Sequence, residues 1–130
     1  MNLAKLPLLL HALIEAAASL SFTLQPRGQL PGASEDARLI LRSYGGLLLS
    51  SSILCAGFCL RQGFDSATRL VAASMAVYHV FPVARAAVRF SRAGVEKESR
   101  KVLGGPMVHL VVHLLAFGGL VGSAVFGQDS

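Results

Sequence analysis

Charge is scarce in this chain: 15% of its 130 residues are Asp, Glu, Lys or Arg, against 53% hydrophobic. An ordinary soluble domain of this length would have to leave that apolar excess in water, so the balance excludes one. Apolar runs that alternate with polar residues are also lacking, which excludes membrane-crossing strands and leaves helices as the spanning structure. Aromatic residues make up only 7% and form no interleaved pattern with the basic ones. The net charge of +5 therefore carries no nucleic-acid-binding signature, and no nucleic-acid partner is expected. Cysteine is limited to Cys55 and Cys59. Four residues apart on one predicted helix, they share a face without good disulfide alignment and are not a redox CxxC pair, so they read as small packing residues.

What the chain does have is four apolar segments, at about 6–24, 39–60, 70–90 and 106–126. Each is close to the roughly 20 residues that cross about 30 Å of hydrocarbon. The expected fold is all-α, a left-handed four-helix transmembrane bundle with short loops, as a single integral membrane domain over 1–130. The first segment follows Lys5 as a signal peptide would. It is too long for that, however, carries Glu15 at its centre, and runs into Gln25-Pro26-Arg27-Gly28 in place of a small-residue cleavage site.

Nine of the 12 basic residues (Arg27, Arg38, Arg42, Arg85, Arg89, Arg92, Lys97, Arg100 and Lys101) lie on or near the connections between helices 1 and 2 and between helices 3 and 4. Lys5, Arg61 and Arg69 fall on the other side. The excess of positive charge on cytoplasmic loops then puts loops 25–38 and 91–105 in the cytoplasm and both termini on the lumenal or extracellular side.

Ionisable groups inside a spanning helix are costly and usually face a bundle interior or a wet cavity. The first helix carries His11, Glu15 and Ser19 at successive steps of four, hence on one stripe. The second opens behind Ser34-Glu35-Asp36, a cap and acidic first turn, and continues through Arg42, Tyr44-Gly45-Gly46 and Ser50-Ser51-Ser52, small residues that favour close helix packing. Arg42 either snorkels to headgroups or turns inward to a carboxylate. Asp65-Ser66 reads as the cap of the third helix, which contains Ser74 and the stretch Tyr78-His79-Val80-Phe81-Pro82-Val83-Ala84-Arg85. Pro82 is expected to kink this helix and open a cavity beside Tyr78. The 96–101 stretch reads as a solvated mixed-charge turn. The fourth helix, entered through Gly104-Gly105-Pro106, presents His109 and His113 four residues apart; Gly118 and Gly122 form a GxxxG step expected to pack against a neighbour.

At about 1.5 Å per residue, Glu15 and His79 lie about 14–15 Å from the cytoplasmic ends of their helices, His113 about 11–12 Å, and Arg85, His109 and Arg42 about 5–6 Å. A carboxylate, imidazoles and an arginine thus collect in one half of the membrane, which is what a polar cavity with separate acid and base roles requires.

Taken in order, Arg42-Ser43-Tyr44-Gly45, Tyr78-His79 before Pro82 and Arg85, and the Gly-Pro start of the last helix resemble the small four-helix membrane proteins of fungal lipid and secondary metabolism. One such family is the ergosterol-pathway scaffold, similar in length and in its Arg-x-aromatic-Gly step and aromatic-His pair. Others are small membrane proteins of polyketide and terpenoid pathways, some assigned to epoxide opening, cyclisation or isomerisation. The chain differs from the scaffold family in having Glu15 and the His109/His113 pair. The resemblance implies residence in the endoplasmic reticulum.

The leading expectation is a cofactor-independent, metal-free general acid/base enzyme, a hydrolase, isomerase or cyclase, acting on a lipophilic secondary metabolite that enters from the lipid bilayer. Glu15 would take a proton or activate water, His79 or the His109/His113 pair would donate one, and Tyr78 and Arg85 would stabilise negative charge. Arg42, Tyr44, Ser74 and Pro82 would line the substrate site. Two alternatives remain: a non-catalytic scaffold tethering other membrane biosynthetic enzymes, and a b-haem or metal protein using two of His11, His79, His109 and His113. For the latter, His79 and His113 are the only closely depth-matched pair.

Overall fold

The computed structural model describes residues 2–92 and 105–127, and these are all-α, with no strand among them. A short 3₁₀ turn, Leu3–Lys5, precedes α1 (Leu6–Leu24), α2 (Pro26–Gln29), α3 (Glu35–Leu60), α4 (Ser66–Arg92) and α5 (Gly105–Phe126). Four of these helices are long and apolar enough to cross a membrane, over Leu3–Leu24, Glu35–Leu60, Ser66–Ser91 and Met107–Phe126. The expected 96–101 turn, with most of the 91–105 loop, lies outside the described residues.

Capping chemistry explains why three helices start before their apolar runs. Ser34 accepts the amide of Ala37 on its Oγ at 3.2 Å, and Glu35 and Asp36 place negative charge in the first turn of α3. Asp65 Oδ1 accepts both the amide and the hydroxyl of Thr68, at 2.9 and 2.7 Å, where α4 begins. Gly105, at φ 80°, turns the chain into α5 through a backbone region that side chains with a Cβ rarely adopt. The loop expected at residues 25–38 is partly helical, because Pro26 suits the first position of the short α2.

The described residues fall into two compact units, residues 8–62 and residues 2–7 with 63–127. In the first, α1 and α3 are antiparallel: Ala12 of α1 bonds to Ser52 of α3, and seven residues further on Ser19 bonds back to Gly45. The hydroxyls of Ser52 and Ser19 donate to the carbonyls of Ala12 and Gly45 at 2.6 and 2.8 Å. Gly45 permits this approach, since a Cβ there would stand 2.6 Å from Thr23 Cγ2 and 3.2 Å from the Ser19 carbonyl oxygen. In the second unit, α4 buries Ala72, Ala76, His79, Pro82 and Ala86, and α5 buries His113, Ala116, Leu120 and Ser123. Spacings of three and four place each set on one face. Mostly small side chains on both faces let two helix backbones come close, the packing mode of helices in lipid.

Large aliphatic side chains point the other way. α1 buries His11, Glu15 and Ser19 while Leu13, Leu20 and Leu24 are exposed; Leu47 and Ile53 on α3, Val77 and Phe81 on α4 and Leu115 and Val125 on α5 are exposed too. Polar stripes inside and leucines outside would be unstable in water, whereas hydrocarbon solvates this surface. The chain is an integral membrane protein.

The GxxxG expectation is corrected. A Cβ at Gly118 or Gly122 would meet nothing within 4 Å among the described residues, whereas one at Gly119 would come within 3.2 Å of the Pro7 ring. One residue along a helix is a turn of about 100°, so the close face is the one next to the motif.

Candidate functional site

Two polar stripes are buried, one in each unit. In the first, the α1 stripe of His11, Glu15 and Ser19 is 0%, 1% and 2% exposed. Besides the Ser19 bond already described, His11 Nε2 lies 3.4 Å from Ser51 Oγ, whose hydroxyl also donates to the Leu48 carbonyl at 2.9 Å. Phe22, one turn further on, meets Tyr44 edge-on, with ring centres 5.2 Å apart. Tyr44 thus belongs to the α1–α3 packing. Arg42 is exposed on α3, as a snorkelling arginine would be. Cys55 is buried, Cys59 half-buried, and both are thiols outside any disulfide.

The second stripe is built from histidine. His79, fully buried on α4, and His113, 6% exposed on α5, approach with their Nδ1 atoms 2.8 Å apart. The ring centres are 5.0 Å apart. The difference between those two distances is taken up by the two ring radii, so the nitrogens face each other head-on. That is the geometry of one N–H···N hydrogen bond. Nitrogens sharing a metal would instead aim at a third point, or stand about 4 Å apart on opposite sides of it.

Tautomers follow. With a single proton between the two Nδ1 atoms, one ring is the donor and the other the acceptor. In the neutral pair the donor ring has a bare Nε2 and the acceptor ring a protonated one. The pair thus presents a base and an acid at the same time. A second charge cannot be added without destroying the bond, because two imidazolium rings would both be donors.

Around this pair, Tyr78 sets its ring edge-on to His79, with centres 5.2 Å apart. His109 does not converge with His113 on one point: its Nδ1 is 3.0 Å from the Gly105 carbonyl oxygen, one turn back on α5. Its ring centre stands 6.3 Å from that of His113. Pro82 is buried within α4, which continues past it as one helix to Arg92. Arg85 is exposed, and so is Ser74, whose hydroxyl donates to the Leu70 carbonyl at 2.8 Å. Of the expected site residues, His79, His113, Tyr78 and His109 are therefore brought together in the second unit, with Pro82 on the same buried face.

Sequence reasoning used Arg69 only for topology, whereas its Nη2 donates to the carbonyl of Gly127 at 2.5 Å at the end of α5. Arg69 stands in the first turn of α4, far from Gly127 in sequence, so no local pattern signals this contact. Ser52 was readable only as a member of a serine run, and its carbonyl partner on α1 depends on helix rotation. No family model, curated protein or solved structure matches the chain.

Proposed function

We propose that this protein is a membrane-embedded general acid/base enzyme acting on a lipophilic small molecule that reaches it from the bilayer. The observation that supports this reading is the buried His79–His113 pair, its Nδ1 atoms 2.8 Å apart. A bare Nε2 on one ring takes a proton from the substrate, the shared proton crosses between the Nδ1 atoms, and the Nε2–H of the other ring returns a proton to the substrate. Protons balance, and the pair is neutral before and after, which suits a medium where net charge is expensive. Tyr78, edge-on to His79, supplies a hydroxyl for oxygen on which negative charge develops. Among the chemistries considered, isomerisation and ring closure fit best, because both remove a proton at one position and deliver one at another.

In this reading the resemblance to small membrane proteins of fungal secondary metabolism supplies the setting. The endoplasmic reticulum is the compartment, loops 25–38 and 91–105 are cytoplasmic, and the termini are lumenal.

The test compares lipophilic extracts of a host making the wild-type chain with hosts making His79→Phe or His113→Phe, at matched membrane insertion. A compound that changes with the wild-type chain and reverts in both variants is the expected result. Unchanged metabolites with both histidines replaced would sink the enzyme reading in favour of a tethering scaffold.

A further inference from the structure

The third histidine of the second unit has its tautomer fixed. A carbonyl oxygen can only accept, so the 3.0 Å contact with Gly105 requires the proton of neutral His109 to sit on Nδ1. Its Nε2 is then a bare base. His109 lies in the second turn of α5 and is half-buried, His113 one turn deeper is 6% exposed, and His79 across on α4 is 0% exposed. Burial therefore rises step by step along three imidazoles, with ring centres 6.3 and then 5.0 Å apart.

We propose that His109, His113 and His79 form a proton path from the N-terminal end of α5 to the buried histidine pair. The inference rests on the acid/base reading of that pair and adds how it exchanges protons with water. A proton arriving at His109 Nε2 makes that ring an imidazolium. Its N–H passes a proton to an Nε2 of His113 through one bridging water or a ring rotation, the separation being too long for a direct bond. The Nδ1–Nδ1 bond then carries a proton on to His79, and each ring gives up one proton for each it receives. The arginines at this end, Arg85 and Arg89, are exposed on α4 and hold their protons permanently, so they cannot serve as carriers. Tyr78 touches the inner end of the path, edge-on to His79. Arg69 lies at the far end of the unit, on Gly127. Such a path lets the His113 end of the pair gain a proton from water or lose one to it, an exchange that a sealed pair could make only by local opening.

The experiment uses the full chain in lipid nanodiscs with ¹⁵N-labelled histidine and no substrate. The shared Nδ1 proton is identified by its correlation to both rings, and the exchange of the His113 Nε2 proton with solvent is measured. His109→Phe should leave the shared-proton signal in place and slow the Nε2 exchange by about tenfold or more, because only opening of the helix pair then remains. Added free imidazole should restore part of the rate. If the phenylalanine variant does not fold, His109→Gln is measured in its place. An exchange rate unchanged by either variant would overturn the path, as would a wild-type protein with no proton shared between the rings. Because no substrate is present, these outcomes are independent of whether metabolites change in the His79→Phe host.

Discussion

His79 and His113 hydrogen-bond to each other: their Nδ1 atoms meet head-on at 2.8 Å between two helices whose buried faces otherwise carry alanines with Thr68, Pro82, Leu120 and Ser123. Removing one ring leaves the facing Nδ1 buried without this bond, whereas removing both leaves neither nitrogen. Single substitutions such as His79→Phe or His113→Leu should each lower stability by about 1–3 kcal/mol, and the double variant by less than their sum. A double-mutant cycle from unfolding titrations in mixed micelles measures the coupling. Strict additivity would mean that the two rings do not interact.

Two adjacent glycines should behave in opposite ways. A Cβ at Gly45 would stand 2.6 Å from Thr23 Cγ2, and Thr23 is held in place by the 2.8 Å bond from its hydroxyl to the Ser19 carbonyl. Gly45→Ala therefore forces α1 and α3 apart or breaks that bond, and should cost about 1–3 kcal/mol. Gly46 is exposed and a Cβ there meets nothing within 4 Å. Gly46→Ala should raise stability by about 0.5–1 kcal/mol, the usual preference for alanine within a helix. Equal effects at the two positions would contradict the register of α1 against α3.

The serine bonds between α1 and α3 should be weaker than their short distances suggest. Ser52 donates to the Ala12 carbonyl at 2.6 Å and Ser19 to the Gly45 carbonyl at 2.8 Å, but both carbonyls lie within helices and have amide partners of their own. Interhelical bonds of this kind in membranes average about 0.6 kcal/mol. Ser52→Ala and Ser19→Ala should each cost about that much in the same unfolding assay. A loss several times larger would assign these serines a wider network than the two bonds described.

The four spans were legible because hydropathy marks the part of a helix that lies in hydrocarbon, and the apolar runs coincide with it. True helix starts lie further out, at Glu35 and Ser66, because Ser34 and Asp65 cap polar turns that hydropathy ignores. Depth arithmetic marked His79 and His113 as the closest-matched pair of histidines, there as candidate haem or metal ligands, since rise along a helix depends on residue count alone. Rotation about the helix axis does not follow from counting. The GxxxG spacing therefore does not show that Gly119 occupies the close face, nor does the four-residue spacing of His109 and His113 show that the Nδ1 of His109 bonds back to Gly105. Tyr44, expected to line the substrate site, packs its ring against Phe22, and Arg42 is exposed, as the snorkelling alternative for it required.

Glu15 separates chemistry from packing most sharply. It is 1% exposed on the buried stripe of α1, between His11 and Ser19. A bare ionised carboxylate at that depth costs several kcal/mol, so the folded protein must hold it either protonated or in a hydrogen-bonded pair. In both cases a carboxamide of the same size can take its place in the fold, but cannot exchange a proton. The proposed mechanism runs on the histidine pair, so Glu15→Gln should insert, fold and form product in the host like the wild type, whereas Glu15→Leu, which takes the carboxyl out of the buried polar stripe of α1, should damage folding. A fall in product of about a hundredfold or more for Glu15→Gln at matched insertion would instead make the carboxyl part of the acid/base chemistry, because only a titrating group can take up or give a proton.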